Sequence, residues 1–137
     1  MELKRLDQIG HYRASGAQRL AQLADFVEAL PPGKLTFGQW YAQGRGCAVG
    51  LAAAHDPWFQ AQGLRLQGVD SPGDCRPTYG GAGDWAAVTA FFELTPAEAR
   101  QLFDRLGYDG ELRPNPRRVA EKIRRHLVQR DALAPVG

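Results

Sequence analysis

Nine consecutive residues, 47–55 (Cys-Ala-Val-Gly-Leu-Ala-Ala-Ala-His), carry almost no polar side chain. The run is rich in alanine and contains one β-branched residue, which favours a helix over a strand. A helix that is apolar on all sides must be enclosed by other elements, so we expect the chain to fold around this segment. Gly50 costs this helix about 1 kcal/mol relative to alanine, and a close backbone contact would be a reason to carry that cost.

The size and composition of the chain are typical of one globular domain. It has 137 residues, of which 44% are hydrophobic and 23% are charged. No apolar run approaches the roughly 18 residues of a membrane span, and Met1 to Arg5 lack the apolar core of a secretory signal. Two cysteines are too few for a disulfide-rich secreted scaffold. We therefore expect a single cytoplasmic domain over residues 1–137, with a loose tail from about residue 132 and no membrane partner.

Capping residues and apolar spacing predict a mainly α fold, a compact bundle of six or seven short helices. Leu3, Leu6 and Ile9 indicate a first helix, and a later apolar stripe runs from Ala99 to Leu106. The alternation at residues 64–69, with a return at 77–79, predicts a small two-stranded β-ribbon near residues 64–79. Three aromatic residues look exposed, namely Tyr41, Trp58 and Tyr108. Helix starts are expected at the capping residues Ser15, Thr36, Asp56, Asp84, Thr95 and Asn115.

Several of these segments resemble a group of small uncharacterised helical proteins of bacteria and phages. The resemblance covers roughly residues 17–127 and rests on a Cys-Ala-x-Gly helix and a later Phe-Phe-x-Leu-Thr motif. The matching positions are Cys47–Gly50, Ala52, Ala53, Pro57, Phe59, Gly63, Leu64, Phe91–Thr95, Glu98, Ala99, Leu102, Phe103, Pro116, Val119, Ala120 and Ile123. Members of the group often have another cysteine ahead of the first, where this chain has Gln43–Gly46. The resemblance implies a helical fold and a mobile-element or phage setting, and it brings no assigned activity.

Cys47 is a weak candidate for a catalytic residue. It stands at a predicted helix start after Arg45, where helix amides and positive charge favour the thiolate. A thiol enzyme also needs a histidine within reach, whereas His55 lies about 12 Å further along the same helix. A zinc site would have to combine Cys47 and His55 with Cys75 and His11, and none of these pairs has the close spacing typical of zinc ligands. We therefore expect Cys47 to be a small buried side chain, and we predict no metal and no cofactor.

The glycine-rich segment at residues 80–83 is a second candidate site. It precedes a predicted helix, but it lacks the Lys-Ser/Thr ending of a phosphate-binding loop. Asp70, Asp74 and Asp84 flank it, and a pocket there would hold a small ligand. We favour a structural role for these aspartates, in turns and helix caps.

The basic C-terminal segment is the strongest feature outside the core. Residues 113–137 contain seven basic and two acidic side chains, whereas residues 20–112 contain six basic and eleven acidic ones. One interpretation is that the basic side chains neutralise nucleic-acid phosphates; the other is a solvated face, or one that pairs with the acidic body. The candidate binding residues are Arg113, Arg117, Arg118, Lys122, Arg124 and Arg125.

These patterns predict a small intracellular protein-binding factor without enzymatic activity. An accessory or inhibitor protein of a phage or mobile element is the kind we expect, since segregated charge suits electrostatic docking onto a protein partner. The alternative is a nucleic-acid-binding protein that uses the basic C-terminal helix. A second alternative is a thiol enzyme or a metal site at Cys47.

Overall fold

The computed structural model describes residues 13–68 and 75–133, with the backbone alone for residues 131–133. Helices dominate this part of the chain. The predicted mainly α fold with six or seven helices is confirmed, whereas the helix expected at residues 3–9 lies outside the described residues. The α-helices are α1 (Gly16–Glu28), α2 (Ala48–His55), α3 (Pro57–Ala61), α4 (Asp84–Phe92), α5 (Pro96–Phe103) and α6 (Pro116–Leu133), and a 3₁₀ helix spans Arg105–Tyr108. The strands are β1 (Tyr41–Ala42), β2 (Arg45–Gly46), β3 (Arg65–Gln67), β4 (Arg76–Tyr79) and β5 (Ala82–Gly83).

Most of the predicted helix starts are confirmed by their hydrogen bonds. Ser15 and Thr95 each open a helix with a capping box, in which side chain and backbone bond reciprocally across three residues. Asp56 accepts from the Trp58 amide at 2.8 Å, and Asn115 accepts from the Arg117 amide at 2.9 Å. These local bonds satisfy amides that would otherwise lack a partner, which fixes where each helix begins.

The apolar helix α2 lies at the centre of the fold, as its composition predicts. Its residues from Ala48 to Ala53 are all buried. A Cβ atom added at Gly50 would lie 2.7 Å from the carbonyl carbon of Trp40 and closer still to the carbonyl oxygen. The backbone of residues 40–41 therefore rests directly on α2, which confirms the close contact expected at this glycine.

Two small antiparallel sheets complete the fold. β1 and β2 form a two-stranded ribbon, in which Tyr41 pairs with Gly46. The ribbon predicted near residues 64–79 is present as the β3–β4 pair, with Leu66 opposite Pro77. β5 adds a third strand to it that the sequence interpretation missed, and the sheet packs on α4 through β4.

A buried arginine, which the sequence interpretation also missed, ties three helical segments together. Arg19 on α1 is 3% exposed. Its guanidinium donates to Gln62 Oε1, just after α3, at 3.2 Å and to the Phe91 carbonyl on α4 at 2.9 Å. It also lies 4.2 Å from the ring centre of Phe91. Hydrogen bonds and a cation–π contact thus stabilise a buried cation.

Two local predictions are wrong. The helix expected after Thr36 does not form, because this segment pairs with residues 45–47 instead: the Gln39 and Trp40 carbonyls accept from the Cys47 amide, and Tyr41 pairs with Gly46. Asp84 is not a cap. It is the first residue of α4, has a φ of 56°, and lies 3.5 Å from the guanidinium of Arg76, while Gly83 takes the cap position.

The prediction that the apolar stripe ends at Leu106 is also wrong. The chain becomes extended at Asp104, so the following 3₁₀ helix starts with a new phase. Leu106 is 74% exposed as a result, and Tyr108, which looked exposed, is completely buried in its place. The hydroxyl of Tyr108 donates to the Leu102 carbonyl at 2.9 Å, which satisfies its polar end.

Candidate functional site

A cavity of about 200 Å³ opens beside the N-terminus of α2. One wall is the segment 37–40, which leads into β1, and the others come from α4, α5 and the residue after α5. We call this cavity the aromatic pocket. Its lining residues are Phe37, Gly38, Gln39, Trp40, Cys47, Trp85, Arg100, Phe103 and Asp104.

Aromatic and charged side chains converge on this pocket. The ring centres of Trp40 and Trp85 are 5.0 Å apart, with the rings at 64° to each other. The guanidinium of Arg100 lies 4.3 Å from the ring centre of Trp85, a cation–π contact. Asp104 is 3.9 Å from Arg100, and the Arg100 side chain remains 53% exposed. The pocket thus combines apolar walls with one loosely paired cation.

The wall formed by residues 37–40 is held by backbone hydrogen bonds to distant parts of the chain. The Phe37 amide donates to the Leu112 carbonyl at 2.8 Å, and the Cys47 amide lies 3.2 Å from both the Gln39 and Trp40 carbonyls. The Phe37 ring stacks on Tyr108 with a centre-to-centre distance of 5.0 Å. These contacts fix the position of this wall relative to Cys47, Tyr108 and Leu112.

Cys47 lines the pocket and is 3% exposed. It caps α2, with its sulfur accepting from the Gly50 amide at 3.5 Å, and it forms no disulfide. His55 sits at the other end of α2, with Nε2 3.1 Å from the Tyr41 hydroxyl, and His126 lies against Glu98. Among the described residues that line the pocket, none is a histidine. Thiol catalysis at Cys47 therefore stays a prediction, and the described lining of the pocket supplies no histidine as its general base.

The proposed zinc quartet is described only in part, because His11 lies outside the described residues. Within residues 13–68 and 75–133, no cluster of three or more histidine, cysteine or acidic side chains is placed to hold a metal ion.

Within the glycine-rich segment, Gly80 and Gly81 form the turn between β4 and β5, and Ala82–Gly83 are β5. A groove of about 450 Å³ lies beside it, and the described residues lining that groove, which include Leu66, Gln67 and Thr78, carry no charge. Asp84 pairs with Arg76, while Asp70 and Asp74 lie outside the described residues. A site that combines the three aspartates therefore stays a prediction.

Three of the six candidate basic residues already have partners within the chain. Arg124 lies 2.8 Å from both Asp25 and Glu28 on α1, and it lowers the pKa of Glu28. Arg118 lies 3.0 Å from Glu111 and 3.4 Å from Asp109. Lys122 donates to the Gly107 carbonyl and lies over the Tyr108 ring.

Arg113, Arg117 and Arg125 are exposed, and no described carboxylate lies within 4.0 Å of them. The basic segment therefore pairs in part with the acidic body, and nucleic-acid binding stays a prediction that depends mainly on these three residues.

Comparisons of the chain with protein-family models, with characterised proteins and with solved structures find no match. Across the described stretches, none of the helices has both the length and the apolar character needed to cross a bilayer.

Proposed function

We propose that this chain is a non-enzymatic binding protein that docks onto a protein partner through the aromatic pocket. The observation that carries the proposal is the meeting of Trp40, Trp85 and Arg100 in a preformed cavity. Tryptophan and arginine are the residue types most enriched among the energetic hot spots of protein interfaces.

The size of the pocket favours a protein side chain over a small-molecule ligand. Ligand sites usually measure about 300–1,000 Å³, whereas this cavity has about 200 Å³. A single large apolar or aromatic side chain of a partner would fill it. A docked anchor of this kind is typical of protein interfaces, where a few buried side chains supply most of the binding energy.

The charges at the mouth supply the polar rim that such an interface needs. Arg100 and Asp104 are 3.9 Å apart, at the outer limit of an ion pair, and Arg100 is half-exposed. Such pairs contribute little to stability, so each group can exchange its neighbour for an opposite charge on the partner. The resemblance to small phage and bacterial proteins suggests an accessory or inhibitor role for this docking.

The experiment uses quantitative affinity capture from native cells with three baits, followed by calorimetry on the purified partner. The baits are the wild type, Arg100→Glu, which reverses the charge at the mouth, and Arg65→Glu, a matched reversal at an exposed arginine on β3. We expect one partner that the wild type and Arg65→Glu bind alike, and at least a tenfold weaker complex with Arg100→Glu, a loss of about 1.4 kcal/mol.

Two results would contradict the proposal. One is the absence of any stoichiometric partner for a wild-type bait whose thermal transition shows that it is folded. The other is a partner that Arg100→Glu binds as tightly as the wild type, because docking would then occur on a different surface.

A further inference from the structure

A second cavity, of about 410 Å³, lies between α5 and α6. It is separate from the aromatic pocket: α5 contributes Arg100 and Phe103 to the pocket, and Glu98 and Gln101 to this groove. We call it the α5–α6 groove. Its other polar lining residues all come from α6, namely Lys122, Arg125, His126 and Gln129.

The charge balance of the groove is positive. Lys122 and Arg125 line it, and Arg130 is near enough to act electrostatically on both Glu98 and His126. Glu98 is the only carboxylate among the described lining residues, and one of its oxygens already accepts from the Thr95 amide at 2.8 Å. Cations therefore outnumber carboxylates in and around this groove.

The donors of the groove are not all used within the described structure. Nε2 of His126 is buried and has no hydrogen-bond partner among the described residues, and the nearest carboxylate oxygen, on Glu98, is 3.8 Å away. Arg125 is exposed and holds no ion pair with a described carboxylate. Lys122 gives one of its three donors to the Gly107 carbonyl. Gln101 and Gln129 add amide donors at the rim.

We propose that the α5–α6 groove binds a phosphate or sulfate group, with Arg125 and Lys122 as its donors and the imidazole of His126 beside them. Charge-assisted hydrogen bonds from such side chains are the usual means of holding a tetrahedral oxyanion. The volume falls within the range of small-ligand sites, unlike that of the aromatic pocket. The site does not depend on the proposed protein docking, because the two cavities use different residues.

Protonation of His126 should strengthen the site. The charged groups around its imidazole are Glu98 on α5 and Lys122, Arg125 and Arg130 on α6. Burial lowers the pKa of His126, so the ring is neutral at pH 8 and gains charge only as the solution becomes acidic. Sulfate keeps its two charges as the solution becomes acidic, so its binding should tighten as the imidazole gains charge.

The test is a titration with sodium sulfate at constant ionic strength, followed through the imidazole NMR signals of His126. His126→Gln assigns those signals, and sodium chloride is the reference salt. We expect a saturable shift, at least tenfold weaker binding in Arg125→Gln, and unchanged binding in Arg65→Gln, a matched exposed arginine outside the groove. A shift that grows linearly and equally in chloride, or an Arg125→Gln titration like that of the wild type, would overturn the proposal.

A competition distinguishes the two sources of a phosphate group. A small phosphate monoester and a short oligonucleotide are titrated against the sulfate complex at equal phosphate concentration. Stronger displacement by the monoester assigns the groove to a small phosphorylated ligand, and stronger displacement by the oligonucleotide assigns it to a nucleic-acid backbone. Failure of both to displace bound sulfate would contradict a phosphate site.

Discussion

Replacement of Gly50 by alanine tests the close contact on which the centre of the fold depends. Alanine gains at most about 1 kcal/mol of helix propensity in α2. Against this gain, the new Cβ would lie 2.7 Å from the Trp40 carbonyl carbon and 3.3 Å from the Tyr41 Cβ. Carbon atoms prefer separations of about 3.5–4.0 Å, so the backbone of residues 40–41 must move by roughly 1 Å.

That movement has a cost that can be worked out from the contacts. Overpacking a core usually costs about 1–3 kcal/mol, and the moving segment also accepts the Cys47 amide through the Gln39 and Trp40 carbonyls. Weakening that hydrogen bond adds about 1 kcal/mol. After the gain in helix propensity is subtracted, we expect a net loss of about 2 kcal/mol, which lowers Tm by roughly 5–10 °C.

Thermal unfolding followed by circular dichroism measures this loss, and Gly38→Ala is the matched control. A Cβ at Gly38 would approach no neighbour closer than 3.5 Å, an ordinary contact, so its effect should stay within about 0.5 kcal/mol. If Gly50→Ala unfolds at or above the wild-type temperature, the contact between α2 and the Trp40 carbonyl does not constrain the fold.

Three further outcomes are expected. Arg19→Met should lower the free energy of unfolding in urea by about 2 kcal/mol, since it removes the charged donor to the Phe91 carbonyl, whereas exposed Arg13→Met should change it little. Burial lowers the pKa of His126, so the unfolded chain binds a proton at this residue more readily than the folded chain does. The contribution of His126 to the free energy of unfolding should therefore be fully present above about pH 6.5 and be lost as the pH drops below it. The free energy of unfolding of His126→Gln should fall less over the same pH range. Fluorescence anisotropy at about 50 mM salt measures oligonucleotide binding. Replacing Arg117 and Arg125 with alanine should weaken binding more than replacing Arg118 and Arg124, which already pair with carboxylates of the chain. Equal effects of the two double substitutions would count against binding through the exposed arginines.

The features that could be predicted from the sequence are those that local contacts decide. Ser15, Thr95 and Asn115 cap helices through bonds that reach only two or three residues along the chain. The burial of α2 follows from the absence of polar side chains in residues 47–55. The close backbone contact at Gly50 was also predictable, because a glycine inside an otherwise alanine-rich helix indicates a close neighbour.

The features that could not be predicted depend on contacts between distant residues. Thr36 has the chemistry of a cap, but its neighbour Phe37 donates to the Leu112 carbonyl, and nothing near residue 36 in the sequence indicates that partner. Tyr108 is buried only because the helix phase changes after Phe103. The aromatic pocket combines residues 37–40 with Arg100, so neither segment alone predicts it.

Ion pairs among the described residues cancel part of the charge segregation that the sequence shows. The acidic residues Asp25 and Glu28 on α1 face Arg124 on α6, and Arg118 reaches back to Glu111, so part of the basic segment is neutralised within the fold. Exposed Arg113, Arg117 and Arg125 form no ion pair with a described carboxylate, and Arg125 also lines the α5–α6 groove. A long-range field along α6 would act through the total charge, whereas a groove acts through a few donors at fixed positions. An anionic group bound in the α5–α6 groove, as we propose, would therefore depend on Lys122 and Arg125 rather than on the total charge of α6.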